Sequence, residues 1–179
     1  AAFVVLCFAV AAVGGAVTAT SVGTWYAGLA KPSFNPPDWV FGPVWTVLYL
    51  MIAVAGWRVW RRRGERDARL ALGAWGLQLA LNLGWSLVFF GARMIGLALA
   101  EIVLLLAIIV FTATLFWRID PLAGALFAPY ALWVGFATAL PSAVWRVRGR
   151  VDWYIPATDS ITWEVFATGG WQDEKDRLW

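Results

Sequence analysis

The sequence predicts an all-α membrane protein, a bundle of five transmembrane helices. Two observations carry that reading. Apolar side chains make up 61% of the 179 residues and charged ones only 14%, against roughly 45–50% apolar in soluble domains, and mean hydropathy is +0.70. A spanning helix needs about 20 mostly apolar residues, and five stretches meet that length: 1–22, 39–60, 70–92, 94–117 and 121–145.

The first stretch contains small residues, "AVAAVGGA", so a cleavable leader is its alternative reading; no basic segment precedes it. A connection with four prolines and two tryptophans, "KPSFNPPDWVFGPVW" at 31–45, leads into the second span. Pro32, Pro36 and Pro37 fix φ and disfavour helix in the residues before them, so the connection is expected to be a stiff, extended lid that also carries Phe34 and Trp39. Pro43 is expected in the first turn of span two, where a missing N–H costs least. Between spans two and three, "RVWRRRGERDAR" holds Arg58, Arg61, Arg62, Arg63, Arg66 and Arg69. With Arg118 that side carries seven basic residues, against Lys31, Arg93, Arg146, Arg148 and Arg150 opposite. The positive-inside rule then places the N-terminus in the cytoplasm and the C-terminus outside, in a bacterial inner membrane.

In span three Gly76, Ala80 and Gly84 recur every four residues, a small-residue face on which helices can approach closely. Asn82 in the same span is a polar amide at membrane depth, expected to form an interhelical hydrogen bond, with a ligand contact as the alternative. Glu101 in span four is costly at such depth, roughly 2.5–3.5 kcal/mol. It must face the interior, lie near an end or be protonated; the tight "GARMIG" turn just before span four puts it about two turns inside, and a structural partner is favoured over a proton relay.

Of 14 tryptophans, Trp39, Trp57, Trp60, Trp117 and Trp145 fall at predicted span ends, where indole is favoured at headgroup level. Trp75, Trp85 and Trp133 sit deeper and are candidates for lining a cavity. After residue 146 the chain turns polar, and 147–179 is expected to be an extramembrane extension. Trp153, Trp163, Trp171 and Trp179 are too many large aromatics for a solvated tail; they either fold back on the bundle or dock on a partner.

The composition also excludes chemistry. Histidine is absent, which removes the commonest metal ligand and general base, so no metal site and no hydrolytic triad is expected. The single cysteine, Cys7, precludes an intrachain disulfide. The net charge of +3 reflects arginines beside spans, hence lipid headgroups rather than nucleic acid.

Three segments, "WYAGLAKPSFNPPDWVFGPVWTVLY" at 25–49, "LQLALNLGWSLVFFGAR" at 77–93 and "RIDPLAGALFAPYALWVGFATAL" at 118–140, resemble the TspO translocator proteins, also called peripheral benzodiazepine receptors or tryptophan-rich sensory proteins. The resemblance holds over about residues 10–146, which makes 1–146 the expected five-helix transmembrane domain and leaves 147–179 as a non-family extension. It implies a five-helix bundle, often a homodimer, whose cavity under the first loop binds flat hydrophobic molecules, porphyrins above all. By position the pocket would involve Trp45, Asn82, Trp85, Trp133, Ala137 and Leu140. Trp45 and Trp133 match the pair that bacterial relatives are thought to use when they degrade protoporphyrin in light and oxygen, so any turnover would be at most slow and light-dependent. No cofactor is required; a tetrapyrrole is the implied ligand. Pro141 and Ser142 follow Leu140 where the family has an asparagine and an aromatic, which argues against sterol binding. Leu87 and Leu97 replace a common proline and an animal tryptophan. These departures and the extension leave a second reading: a structural or assembly subunit of a larger membrane complex, one that holds pigments for example, docked through its tail.

Overall fold

The computed structural model describes residues 1–22 and 37–138. Pro32, Phe34, Pro36, Leu140 and the tail tryptophans Trp153, Trp163, Trp171 and Trp179 lie outside them, as does the 147–179 extension. Five helical spans run through the described residues. They are α1 (Ala2–Val22), α2 (Asp38–Arg61), α3 (Ala68–Ser86) continued by a π-helical turn (Leu87–Gly91), α4 (Ile95–Ile119), and a fifth span, Pro121–Thr138. The fifth begins as α5 (Pro121–Ala125), loosens into a turn at 126–127 and resumes as helix α6 over 128–138.

Neighbouring elements set the arrangement. α1 packs on α2 and α3, α3 on α4, α4 on α5, and α5 on α2. Around the bundle the spans therefore follow the order 1, 2, 5, 4, 3. The interior is filled by Ile52, Leu105, Ile109, Phe116, Phe127 and Tyr130, each under 2% exposed apart from Leu105 at 2%. Large apolar side chains such as Val47, Leu50, Leu77, Val103, Leu104, Val110 and Leu132 point outward. A continuous exposed apolar surface of that kind is what contact with lipid requires. Hydroxyls are satisfied locally, as lipid demands: Thr18 Oγ1 donates to Gly14 O, Thr46 Oγ1 to Gly42 O and Thr112 Oγ1 to Ile108 O, at 2.7–2.9 Å.

The start of α2 follows the proline argument closely. Pro37 has φ −57° and ψ 144°, and helix begins at the next residue. Because α2 starts that early, Pro43 lies in its second turn rather than its first, and the carbonyl of Trp39 loses the amide that an ordinary residue at 43 would supply. Trp39 is 74% exposed.

Three tight contacts fix the helices. A Cβ on Gly56 would come within 2.7 Å of the Trp75 ring and 3.0 Å of Phe3. A Cβ on Gly124 would fall 2.8 Å from the backbone of Trp117, so α5 folds back against the end of α4 only with glycine there. At the junction between them Asp120 accepts from the amides of Leu122 and Ala123 at 3.1 and 3.4 Å, with Pro121 at the first helical position. Arg58 of α2 binds both its oxygens, Nε to Oδ2 at 2.8 Å and Nη2 to Oδ1 at 3.1 Å, while Arg62 donates to Ile119 O at 2.5 Å. The Asp120 side chain is 4% exposed. Burial pushes its carboxyl up, but the Arg58 hydrogen bond, the Ala123 amide and the charges of Arg58 and Arg62 outweigh burial and hold it below the usual carboxylate range.

Candidate ligand site in the bundle interior

Asn82 lies on the buried face of α3 and joins three spans. Tyr49 Oη of α2 donates to its Oδ1 at 2.5 Å, and its Nδ2 donates to Tyr130 Oη of α6 at 3.0 Å. The expected interhelical bond is thus a pair of bonds. Neither tyrosine is singled out by the sequence reading. The available signal is the need of a buried amide for partners, and Tyr49 and Tyr130 are the tyrosines that lie inside predicted spans.

Aromatic rings cluster above this network, toward the end from which the 31–45 connection enters α2. Trp45, one turn before Tyr49, lies 5.5 Å from the Tyr49 ring and 6.2 Å from that of Tyr130. Trp133, one turn beyond Tyr130, meets Phe41 edge-on at 5.8 Å, and Ala137 follows it one turn later, half-buried. α2 and α6 therefore bring Phe41, Trp45, Tyr130 and Trp133 together. Trp85, one turn past Asn82, stacks on Phe89 at 5.0 Å with planes 9° apart and meets Phe90 edge-on at 5.8 Å. A π-helical turn follows: the amide of Ala92 bonds to Leu87 O at 2.8 Å, five residues back. Ser21 of α1 donates to Phe90 O at 2.8 Å and anchors the turn. Such turns within a helix often accompany functional sites.

Two polar groups here have no hydrogen-bond partner among the described residues: Trp85 Nε1 and both carboxyl oxygens of Glu101, all fully buried atoms. The structural partner expected for Glu101 is therefore not found; its Oε1 sits 3.7 Å from where a Cβ on Gly84 would be. That contact divides the small-residue face. Gly84 turns toward α4, whereas Gly76 and Ala80 are exposed and a Cβ on Gly76 would meet nothing within 4 Å. The reason is geometric, since eight residues at 3.6 per turn rotate the face by about 80°.

Trp75 is core rather than cavity wall. It is 5% exposed, its Nε1 donates to Ile52 O at 3.0 Å, and Phe3 packs edge-on at 5.0 Å.

A groove of about 780 Å³ runs along the outside of the bundle between α2 and α6. Val47, Met51, Leu132, Trp133 and Phe136 are among its walls. Of the five described residues that the resemblance assigns to the pocket, only Trp133 borders it. No group of three or more metal-ligating side chains occurs among the described residues.

The profile of the TspO/MBR family matches residues 3–146. Relatives include the translocator protein of Homo sapiens, 43% identical over 124 residues, covering 68% of this chain and 73% of the relative. Protein CrtK of Rhodobacter capsulatus is 38% identical over 147 residues, covering 82% and 92%. Tryptophan-rich protein TspO of Chlorobaculum tepidum is 40% identical over 142 residues, covering 75% and 86%. A profile match across four-fifths of the sequence, on a bundle of five membrane-spanning helices, makes this integral membrane protein a member of the TspO/MBR family.

Proposed function

We propose that the protein binds a flat, hydrophobic, polar-edged molecule of the tetrapyrrole class within the aromatic end of its bundle, carrying or buffering it rather than turning it over rapidly. The observation that carries this reading is the meeting of half-buried rings and unpartnered polar groups at one end of the interior. Below Asn82, Gln78 Oε1 also has no hydrogen-bond partner among the described residues, but that side chain is fully buried and its Nε2 donates to Trp75 O. Above Asn82, Trp45, Trp85 and Trp133 are only half-buried, and the Trp85 N–H and the Glu101 carboxyl have no partner among the described residues. Such groups are costly unless something bonds to them. A planar ring with polar edges offers faces for the indoles and edge atoms for Trp85 and Glu101.

Ala137 belongs to the same wall. The arginine-rich end is assigned to the cytoplasm of a bacterial inner membrane. Titrating purified protein with protoporphyrin should quench indole fluorescence with a micromolar midpoint. Trp133→Phe keeps an aromatic ring but loses the larger face, and should weaken binding about threefold to tenfold. Absence of saturable quenching, or full affinity in that variant, would remove the proposal.

A second reading is supported by the exposed Gly76 and Ala80 face, which meets no other helix of this chain among the described residues. Small residues in lipid favour close helix approach, so this face suits a twin or a subunit of a larger complex, with the 147–179 extension as a further contact. Gentle solubilisation and native gel electrophoresis separate the cases by size.

A further inference from the structure

At the opposite end of the bundle, the last turn of α2 and the junction of α4 with α5 enclose a recess of about 190 Å³ lined by Arg58, Arg61, Arg62 and Asp120. We propose that this recess is a specific site for the phosphate of an anionic phospholipid. Three guanidiniums and one carboxylate line it, leaving a net charge of two positive. Arg58 is consumed by its two-point contact with Asp120. Arg62 lies 3.7 Å from the same carboxylate and spends one nitrogen on Ile119 O. Arg61 has no carboxylate within 4.0 Å among the described residues; its guanidinium rests 5.0 Å above the exposed ring of Trp57. Guanidinium is the side chain best shaped for phosphate oxygens, and stacking on indole orients it without using its donors.

The depth of the recess selects a lipid over a soluble anion. Trp57, Trp60 and Trp117 are 44%, 47% and 57% exposed at this same end of α2 and α4. Indoles so exposed on membrane helices settle at headgroup level. Arg61 and Arg62 stand within a turn of Trp57 and Trp60, so the recess opens where lipid phosphates are already concentrated. Asp120 holds Arg58 in place through two hydrogen bonds, and Arg61 and Arg62 complete the lining of the recess.

The test uses the full chain in nanodiscs of phosphatidylcholine with one-tenth phosphatidylglycerol, followed by native mass spectrometry of the released protein. Phosphatidylglycerol should remain bound in preference to phosphatidylcholine. Arg61→Gln with Arg62→Gln should lower its retention about tenfold or more, because each removes charge-assisted hydrogen bonds to the phosphate and not only a surface charge. Arg66→Gln with Arg69→Gln removes the same charge from exposed positions outside the recess and should change retention less than twofold. Arg61→Gln alone, which leaves the Ile119 contact intact, should show part of the loss with unchanged thermal stability in pure phosphatidylcholine. Equal losses in both double variants would overturn the proposal in favour of diffuse surface charge. Displacement of the lipid by millimolar inorganic phosphate would overturn it in favour of a soluble anion.

Discussion

Replacing Asn82 by leucine tests whether the polar network holds three spans together. The substitution keeps the forked outline of the side chain, with bulkier methyl groups at its tips, but removes an acceptor 2.5 Å from Tyr49 Oη and a donor 3.0 Å from Tyr130 Oη. Tyr130 is 0% and Tyr49 5% exposed, so neither hydroxyl can turn to water. A stranded buried hydroxyl costs about 1–3 kcal/mol, whereas interhelical bonds in lipid average about 0.6 kcal/mol. Two bonds therefore place the loss between about 1 kcal/mol on the lipid average and about 6 kcal/mol if both hydroxyls are fully stranded. Reversible unfolding in mixed micelles, followed by circular dichroism, reads that loss directly. The decisive comparison adds Tyr49→Phe and Tyr130→Phe. With the hydroxyls gone, Asn82→Leu leaves nothing unsatisfied, and the triple variant should regain most of the stability lost by Asn82→Leu alone. An Asn82→Leu variant as stable as the parent, or a triple variant less stable than the single one, would refute the network as a structural element.

Gly56→Ala should destabilise the bundle by about 1–3 kcal/mol, because the new methyl meets the rigid indole of Trp75 at 2.7 Å; thermal unfolding and a shift of Trp75 emission check it. The Asp120 carboxyl is held below its ordinary value of 3.8, so the folded state binds its proton less readily than the unfolded one. Its contribution is complete above pH of about 4 and declines as pH falls through the lower folded value. Asp120→Asn should lower stability at neutral pH and flatten the acid limb of an unfolding titration, and an unchanged acid limb would show that the Arg58 pair is not its source. Gly124→Ala, set against the backbone of Trp117 at 2.8 Å, should open the α4–α5 corner and be detected as faster proteolysis near residue 120.

Spans were legible because each is long, apolar and bounded by basic or proline-rich segments, and the five predicted stretches overlap the five observed ones within a few residues where the structure describes them. The site was legible only in part. Asn82 announced itself as a polar group in lipid, but Tyr49 and Tyr130 did not, since tyrosine inside a span reads equally well as an apolar ring. Spacing also misled. Gly76, Ala80 and Gly84 look like one face in a four-residue repeat, yet the helix turns Gly84 onto α4 and leaves the other two outward. Trp75 and Trp85 were indistinguishable by sequence; a carbonyl at Ile52 satisfies the first, and the π-helical turn just after the second has no sequence mark in "WSLVFFGAR". Glu101 was expected to find a structural partner, and among the described residues its buried oxygens have none.

The central claim is that the aromatic end of the interior, not the outer α2–α6 groove, takes up a planar ring. A density map of the protein saturated with protoporphyrin tests it most directly. The account predicts a flat feature in contact with Trp45, Trp85 and Trp133, with a polar edge near Glu101. A ring seated outside the bundle against Val47 and Leu132, with the indoles packed on one another, would contradict it.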